Sequence, residues 1–118
     1  MTNNNNQIIL NIRFKVKPGK KDDFRKQLSS LVDIMSNETN FVNAIIHDDM
    51  DQSEDIVIYE IWKGTQESWL QEEFPKPYRK EYEGVLSELL NDRMVSWLIP
   101  VAEWGSNLTG VSKKQSLK

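Results

Sequence analysis

The sequence has no cysteine and a single histidine. The first absence excludes disulfides, iron–sulfur ligation and thiolate nucleophiles. The second leaves His47 alone, which rules out a histidine-rich metal site within one chain. No basic excess is present: the formal net charge is -3, a poor match to the counterion-displacing surface that nucleic acid requires, so no nucleic-acid partner is expected. No apolar run approaches the roughly 20 residues of a membrane-spanning helix, so no membrane partner is expected either. The opening MTNNNNQ is polar and uncharged, unlike a secretory signal, and a cytoplasmic location is the expectation. Without such a signal, the acceptor-like Asn37-Glu38-Thr39 and Asn107-Leu108-Thr109 carry no weight. Proline and glycine are few, 4 and 5 in 118 residues, so each reads as punctuation.

The length fits one domain. Residues 1–7 and 105–118, an Asn tract and the small, polar, basic GSNLTGVSKKQSLK, have little to bury and are expected to be flexible tails around a domain at 8–104. Within it, Ile8, Leu10, Ile12, Phe14 and Val16 alternate with polar residues, which predicts a strand over 8–16. After Pro18-Gly19 the period lengthens: Phe24, Leu28, Leu31 and Met35 predict an amphipathic helix over about 20–36. FVNAIIHD at 41–48 and a run at 55–63 predict a hairpin across DDMDQSED. Thr65 is a fitting N-cap for a short helix through Trp69 and Leu70. Pro75 and Pro77 interrupt that helix, and Pro77 suits the first turn of another with a stripe of Tyr78, Tyr82, Val85 or Leu86, and Leu89. Asn91-Asp92 reads as its end, and 93–102 as a fourth strand.

The order βαββαβ is the ferredoxin-like α+β plan, a four-stranded antiparallel sheet with its helices on one face. The other face is then uncovered, although strands three and four carry apolar groups on both sides. Tyr59, Ile61 and Trp97 in water would make an unusually large apolar patch. A homodimer through the open sheet face is the simplest cover.

Three features together resemble the antibiotic biosynthesis monooxygenase-like family: the strand IVIYEIWKG with its Glu60-Ile61-Trp62, the following EEFPKPYRKEYEGVLSELL, and the broken second helix. The resemblance spans about 8–104. It implies a dimeric α+β barrel and, in the quinol monooxygenase-like members, oxidation of a small planar aromatic, quinol or polyketide-like ligand by O2 without any cofactor or metal. A non-catalytic binding or structural dimer is the alternative. The haem-degrading branch of the family is disfavoured. Trp69 matches its helix Trp, but its iron-ligating His falls at Arg79, and its strand Asn falls at Ile12. Asn11 is adjacent to Ile12, yet alternation points it to the opposite face.

The candidate residues each have a structural alternative. Trp62, Trp69 and Phe74 either wall a cleft in which a flat ring stacks or fill the core. Tyr78 and Tyr82 either reach that cleft or pack on the helix stripe. Arg79 either stabilises an anionic substrate or is solvated. Glu60, between Ile58 and Trp62 on one strand face, must be paired or carry a raised pKa, and a buried acid beside a cleft is a catalytic candidate. His47 is the one imidazole available as a base, but alternation with Asn43 and Ile45 turns it toward the dimer face. Arg13, Lys15 and Lys17 line a strand without the aromatics an RNA-binding sheet uses, and read as a solvated or inter-subunit salt-bridging edge.

Overall fold

In the computed structural model, which describes residues 6–113, the alternation of strand β1 (Gln7–Val16) buries Leu10, Phe14 and Val16 to 2 % exposure or less. Gly19 turns the chain at φ +80°, a region that costs a side-chain-free residue nothing, and helix α1 (Lys21–Met35) follows. Asp22 and Asp23 complement the dipole of its first turn. Phe24, Leu28, Leu31 and Met35 are its buried stripe, and Phe24 meets Phe14 with ring centres 4.7 Å apart. Strands β2 (Phe41–Asp48) and β3 (Asp55–Lys63) form the expected hairpin. The Asp49 carboxylate shapes its turn by accepting bonds from the backbone N–H groups of Asp51 and Gln52 at 2.8 and 2.9 Å.

Gly64 (φ +110°) leads into helix α2 (Gln66–Glu72), and a Cβ there would stand 2.7 Å from Ser68 Oγ. Thr65 caps α2 reciprocally: its Oγ1 accepts from Ser68 N at 3.1 Å, and Ser68 Oγ accepts from Thr65 N at 3.0 Å. Helix α3 (Pro77–Leu89) has proline in its first turn, and strand β4 (Leu90–Leu98) ends the sheet. The four strands pair antiparallel in the order β2-β3-β1-β4, the ferredoxin-like α+β arrangement. One core joins the sheet to the helices, with Leu10, Phe14, Ile56, Ile58 and Trp62 against the stripes of α1 and α3. Among the described residues no helix is long and apolar enough to cross a membrane.

Four expectations need correction. Asn91 and Asp92 do not end a helix before a strand at 93. Leu90 is already extended at φ -117°, ψ 144° and pairs with Val16, so α3 runs straight into β4, and a register shift at Lys15/Val16 absorbs the join. Trp97 does not belong to the open face. Its pairing with Leu10 places it on the helix side, where it meets Trp69 edge-on at 5.4 Å. The buried stripe of α3 is Arg79, Tyr82, Leu86 and Leu89, with Tyr78 only half-buried. Strand β1 is central rather than an edge. Arg13 and Lys15 lie on its open face and both bond Asp55, at 2.7 and 3.1 Å, while Arg13 also pairs Asp49 at 2.9 Å.

On that open face Ile9 and Ile61 are buried, whereas Ile45, Met94 and Leu98 are 49, 45 and 43 % exposed. Beyond β4, Ile99, Val101 and Trp104 are also exposed. Residues 103–113 close into a loop around the Glu103 carboxylate. It accepts bonds from Ser106 Oγ, Thr109 Oγ1 and the backbone N–H groups of Leu108 and Thr109, which hold its pKa down at about 2. The remainder of the two expected tails, 1–5 and 114–118, lies outside the described residues.

A candidate active site between the sheet and the broken helix

The break at Pro75 folds the chain so that Glu73, at the end of α2, reaches Arg79 in the first turn of α3. Phe74 N and Glu73 N both bond Trp69 O, at 3.0 and 2.9 Å, closing the turn. Arg79 Nε then donates to Glu73 Oε2 at 2.8 Å, and Tyr78 Oη donates to the same oxygen. Lys76 links Glu73 to Glu38, at 3.2 and 2.5 Å. Burial pushes the Glu73 carboxyl up, and the bonds from Tyr78 and Arg79 outweigh it, so its pKa is lowered. The guanidinium of Arg79 is buried among aromatic faces, 4.7 Å from the Trp69 ring centre, 5.7 Å from Trp62 and 5.5 Å from Tyr78. Its Nη2 meets Met35 Sδ at 3.3 Å. Arg79 is therefore not a solvated side chain.

Beside this pair lies a cavity of about 170 Å³. Leu10, Ile12, Leu28, Trp69 and Trp97 form much of its apolar wall, and Glu60, Arg79 and Tyr82 are its buried polar groups. Leu70, Phe74 and Val95, each more than 40 % exposed, mark the rim. Glu60 is 2 % exposed and accepts a bond from Trp62 Nε1 at 2.8 Å. Burial raises its pKa despite that bond and the charge of Arg79. Burial likewise raises the pKa of Tyr82. Two lining residues, Trp69 and Tyr82, keep buried polar atoms (Nε1 and Oη) without a hydrogen-bond partner. A donor left so costs about 1–3 kcal/mol.

The sequence candidates divide accordingly. Glu60, Trp69, Phe74, Arg79 and Tyr82 come together at this cavity. Trp62 is core, 1 % exposed, and borders instead a smaller polar hollow with Lys63, Glu72 and Lys76. Tyr78 lies in the groove between α1 and α3 with Ile34 and Val85. His47 is on the far side of the sheet, opposite Val57, with Nδ1 3.0 Å from the Val57 carbonyl oxygen. Sequence reasoning missed Glu73, Glu83, Arg93 and the placement of Trp97. The 79-82-86-89 spacing could have revealed Arg79 as buried, whereas Glu73 meets it across a proline break that no helical period describes. Among the described residues, no three His, Cys, Asp or Glu side chains group so as to hold a metal ion.

The family model described as antibiotic biosynthesis monooxygenase matches residues 7–73. No curated relative matches the sequence. Among solved structures, protein SO0527 from Shewanella oneidensis is similar at a TM-score of 0.74 and 20 % identity, over 82 % of this chain and 93 % of that one. Rv0793 from Mycobacterium tuberculosis has a TM-score of 0.74 and 20 % identity, over 82 % and 97 %. SnoaB, a cofactor-independent oxygenase from Streptomyces nogalater, has a TM-score of 0.69 and 14 % identity, over 79 % and 91 %.

Proposed function

This chain belongs to the antibiotic biosynthesis monooxygenase family, and from that premise we propose that it is a cofactor-independent monooxygenase of one small, planar, electron-rich ring. The observation that carries the reading is the cavity itself: largely apolar in its wall, opening at Leu70, Phe74 and Val95, and lined by the Arg79 guanidinium. A cavity of roughly 150 Å³ accepts benzene, so about 170 Å³ holds a single ring. Any larger polyketide-like substrate would extend past Phe74 and Leu70.

The chemistry needs little from the protein. A phenol, quinol or enol that has lost a proton can pass one electron to O2. The substrate radical and superoxide then combine, forming a C–O bond. Cleavage of the O–O bond leaves one oxygen on carbon as a carbonyl and releases the other as water, with the two hydrogens lost by the substrate. Arg79, Tyr82 and Trp69 would stabilise the substrate oxyanion in a dry site, where such contacts are strong. Glu60, whose proton affinity burial increases, would exchange the substrate proton. His47, across the sheet, receives no role in this subunit.

The working unit in this reading is a homodimer through the open face. Covering Ile45, Met94 and Leu98, together with the exposed Ile99, Val101 and Trp104, contributes several kcal/mol at ~25 cal/mol per Å². The second reading, a dimeric ring-binding protein without catalysis, is favoured by one observation: Glu73 already neutralises Arg79.

Oxygen uptake with a panel of quinols separates the two. Uptake above the buffer rate, reduced about 100-fold in Arg79→Met, is the expected result. Binding without uptake favours the second reading, and neither binding nor uptake removes both.

A further inference from the structure

A second guanidinium stands at the edge of the same cavity, unused by the chemistry above. Arg93 lies on β4 opposite Phe14, on the helix side, and lines the cavity together with Glu83 of α3. Its Nη1 donates to Glu83 Oε2 at 2.8 Å. The two side chains are 34 and 33 % exposed, against 9 and 7 % for Arg79 and Glu73. An ion pair that water reaches is weakly held, because both charges are nearly as well solvated apart. Among the described residues, Glu83 is the only side-chain acceptor that meets this guanidinium, so most of its five donors remain free for another anion. The wall it shares includes the apolar Ile12, Phe74, Val95 and Trp97, and among the polar lining groups Tyr82 is close enough to interact with the Arg93 charge.

We propose that Arg93 reads a carboxylate on the substrate: the ring enters the cavity and its carboxylate displaces Glu83 from the guanidinium. This rests on the reading of the cavity as a ring site and adds the substrate class, an aromatic acid rather than a neutral quinol. Arginine suits the task because its planar fork matches both oxygens of a carboxylate. The division of labour is physical. Arg79, fixed by Glu73 and three aromatic faces, is held for charge that develops inside, whereas Arg93 is free to exchange partners where the cavity meets water.

Hydroquinone and gentisate, its ring-carboxylated counterpart, supply the test, titrated calorimetrically under nitrogen so that neither is oxidised. The wild-type protein is expected to bind gentisate about tenfold more tightly. In Arg93→Gln the ratio of the two affinities should fall to about one. Arg93→Lys should retain part of the preference as a point charge, and Glu83→Gln should enlarge it by removing the competing carboxylate. A general loss of structure would move both ligands together and leave the ratio alone. An unchanged ratio in Arg93→Gln overturns the assignment while leaving ring binding intact. Absence of binding by either compound overturns the ring site and this inference with it.

Discussion

Toward the helices, the sheet carries Leu10, Phe14, Ile56 and Ile58 at 2 % exposure or less; away from them it carries Ile45, Met94 and Leu98 at 43 % or more. The same four strands thus meet two different solvents. The dry side tolerates charge only with a dedicated partner, as Glu73 has in Arg79, or with a raised pKa, as in Glu60. On the open side, Arg13, Lys15, Asp49 and Asp55 form a partly wet network at one end of a half-apolar surface. The open side is mixed rather than bare, since Ile9 and Ile61 are buried there while Ile45, Met94 and Leu98 are not.

Core truncation should show this contrast most strongly. Phe24→Ala, at a side chain with no exposure, is expected to cost about 3–5 kcal/mol in urea unfolding, and Ile45→Ala under about 1 kcal/mol in dilute protein. Equal costs would mean that the open face is already sealed. Next in size is the buried ion pair. Arg79→Met should cost about 3 kcal/mol by leaving Glu73 charged and short of its closest cation, with most of that recovered in the Glu73→Gln, Arg79→Met double variant. Arg13→Met removes a more exposed guanidinium, leaves Lys15 on Asp55, and should cost clearly less than Arg79→Met.

Leu98→Asp tests the proposed cover directly. It adds a charge to each half of a twofold interface while leaving the helix-side core untouched. Sedimentation at high concentration should give twice the chain mass for the parent protein and the single chain mass for the variant. A parent protein that sediments as one chain at every concentration would leave Ile45, Met94 and Leu98 as ordinary surface.

How much of this could be read from the residues depends on whether one element or two decide a position. The limits of β2 and β3, the stripe of α1 and the Thr65 cap follow from local period and chemistry, and the structure has them there. The face of Trp97 does not, because β4 is apolar on both sides and only its pairing with Leu10 decides which side turns inward. The start of β4 was hidden because Asn91-Asp92 has the composition of a turn, while the backbone passes from helix to strand at Leu90 without one. At the cavity, Glu60 was legible as a carboxylate among apolar neighbours. Arg79 was named as a candidate, but its burial was missed because a positive charge on a helix normally reads as surface, and Glu73, Glu83 and Arg93 acquire meaning only from what stands opposite them. The candidate pocket is a tertiary object, and its residues come from β1, β3, β4 and all three helices.

The last expected effect is also the most specific, because the two buried carboxylates should respond to pH with opposite signs. Glu60 has a raised pKa in the folded chain. As pH climbs above the ordinary glutamate range, the unfolded chain gives up this proton while the folded chain keeps it, so stability falls. The slope reaches at most about 1.4 kcal/mol per pH unit and ends once pH passes the raised value. Glu73 has a lowered pKa, so its contribution is complete above the ordinary range and is lost as pH falls through the lowered value. Glu60→Gln imitates the protonated acid and should be near neutral in mildly acidic buffer. It should become relatively more stable than the parent protein as pH rises. Glu73→Gln should be destabilising at neutral pH and approach the parent protein only in acid. Urea midpoints collected across the pH range for both variants would show the two difference curves bending in opposite directions. A flat curve for Glu60→Gln would mean that its carboxyl ionises normally, and that the dry side of the sheet is wetter at this point than its packing indicates.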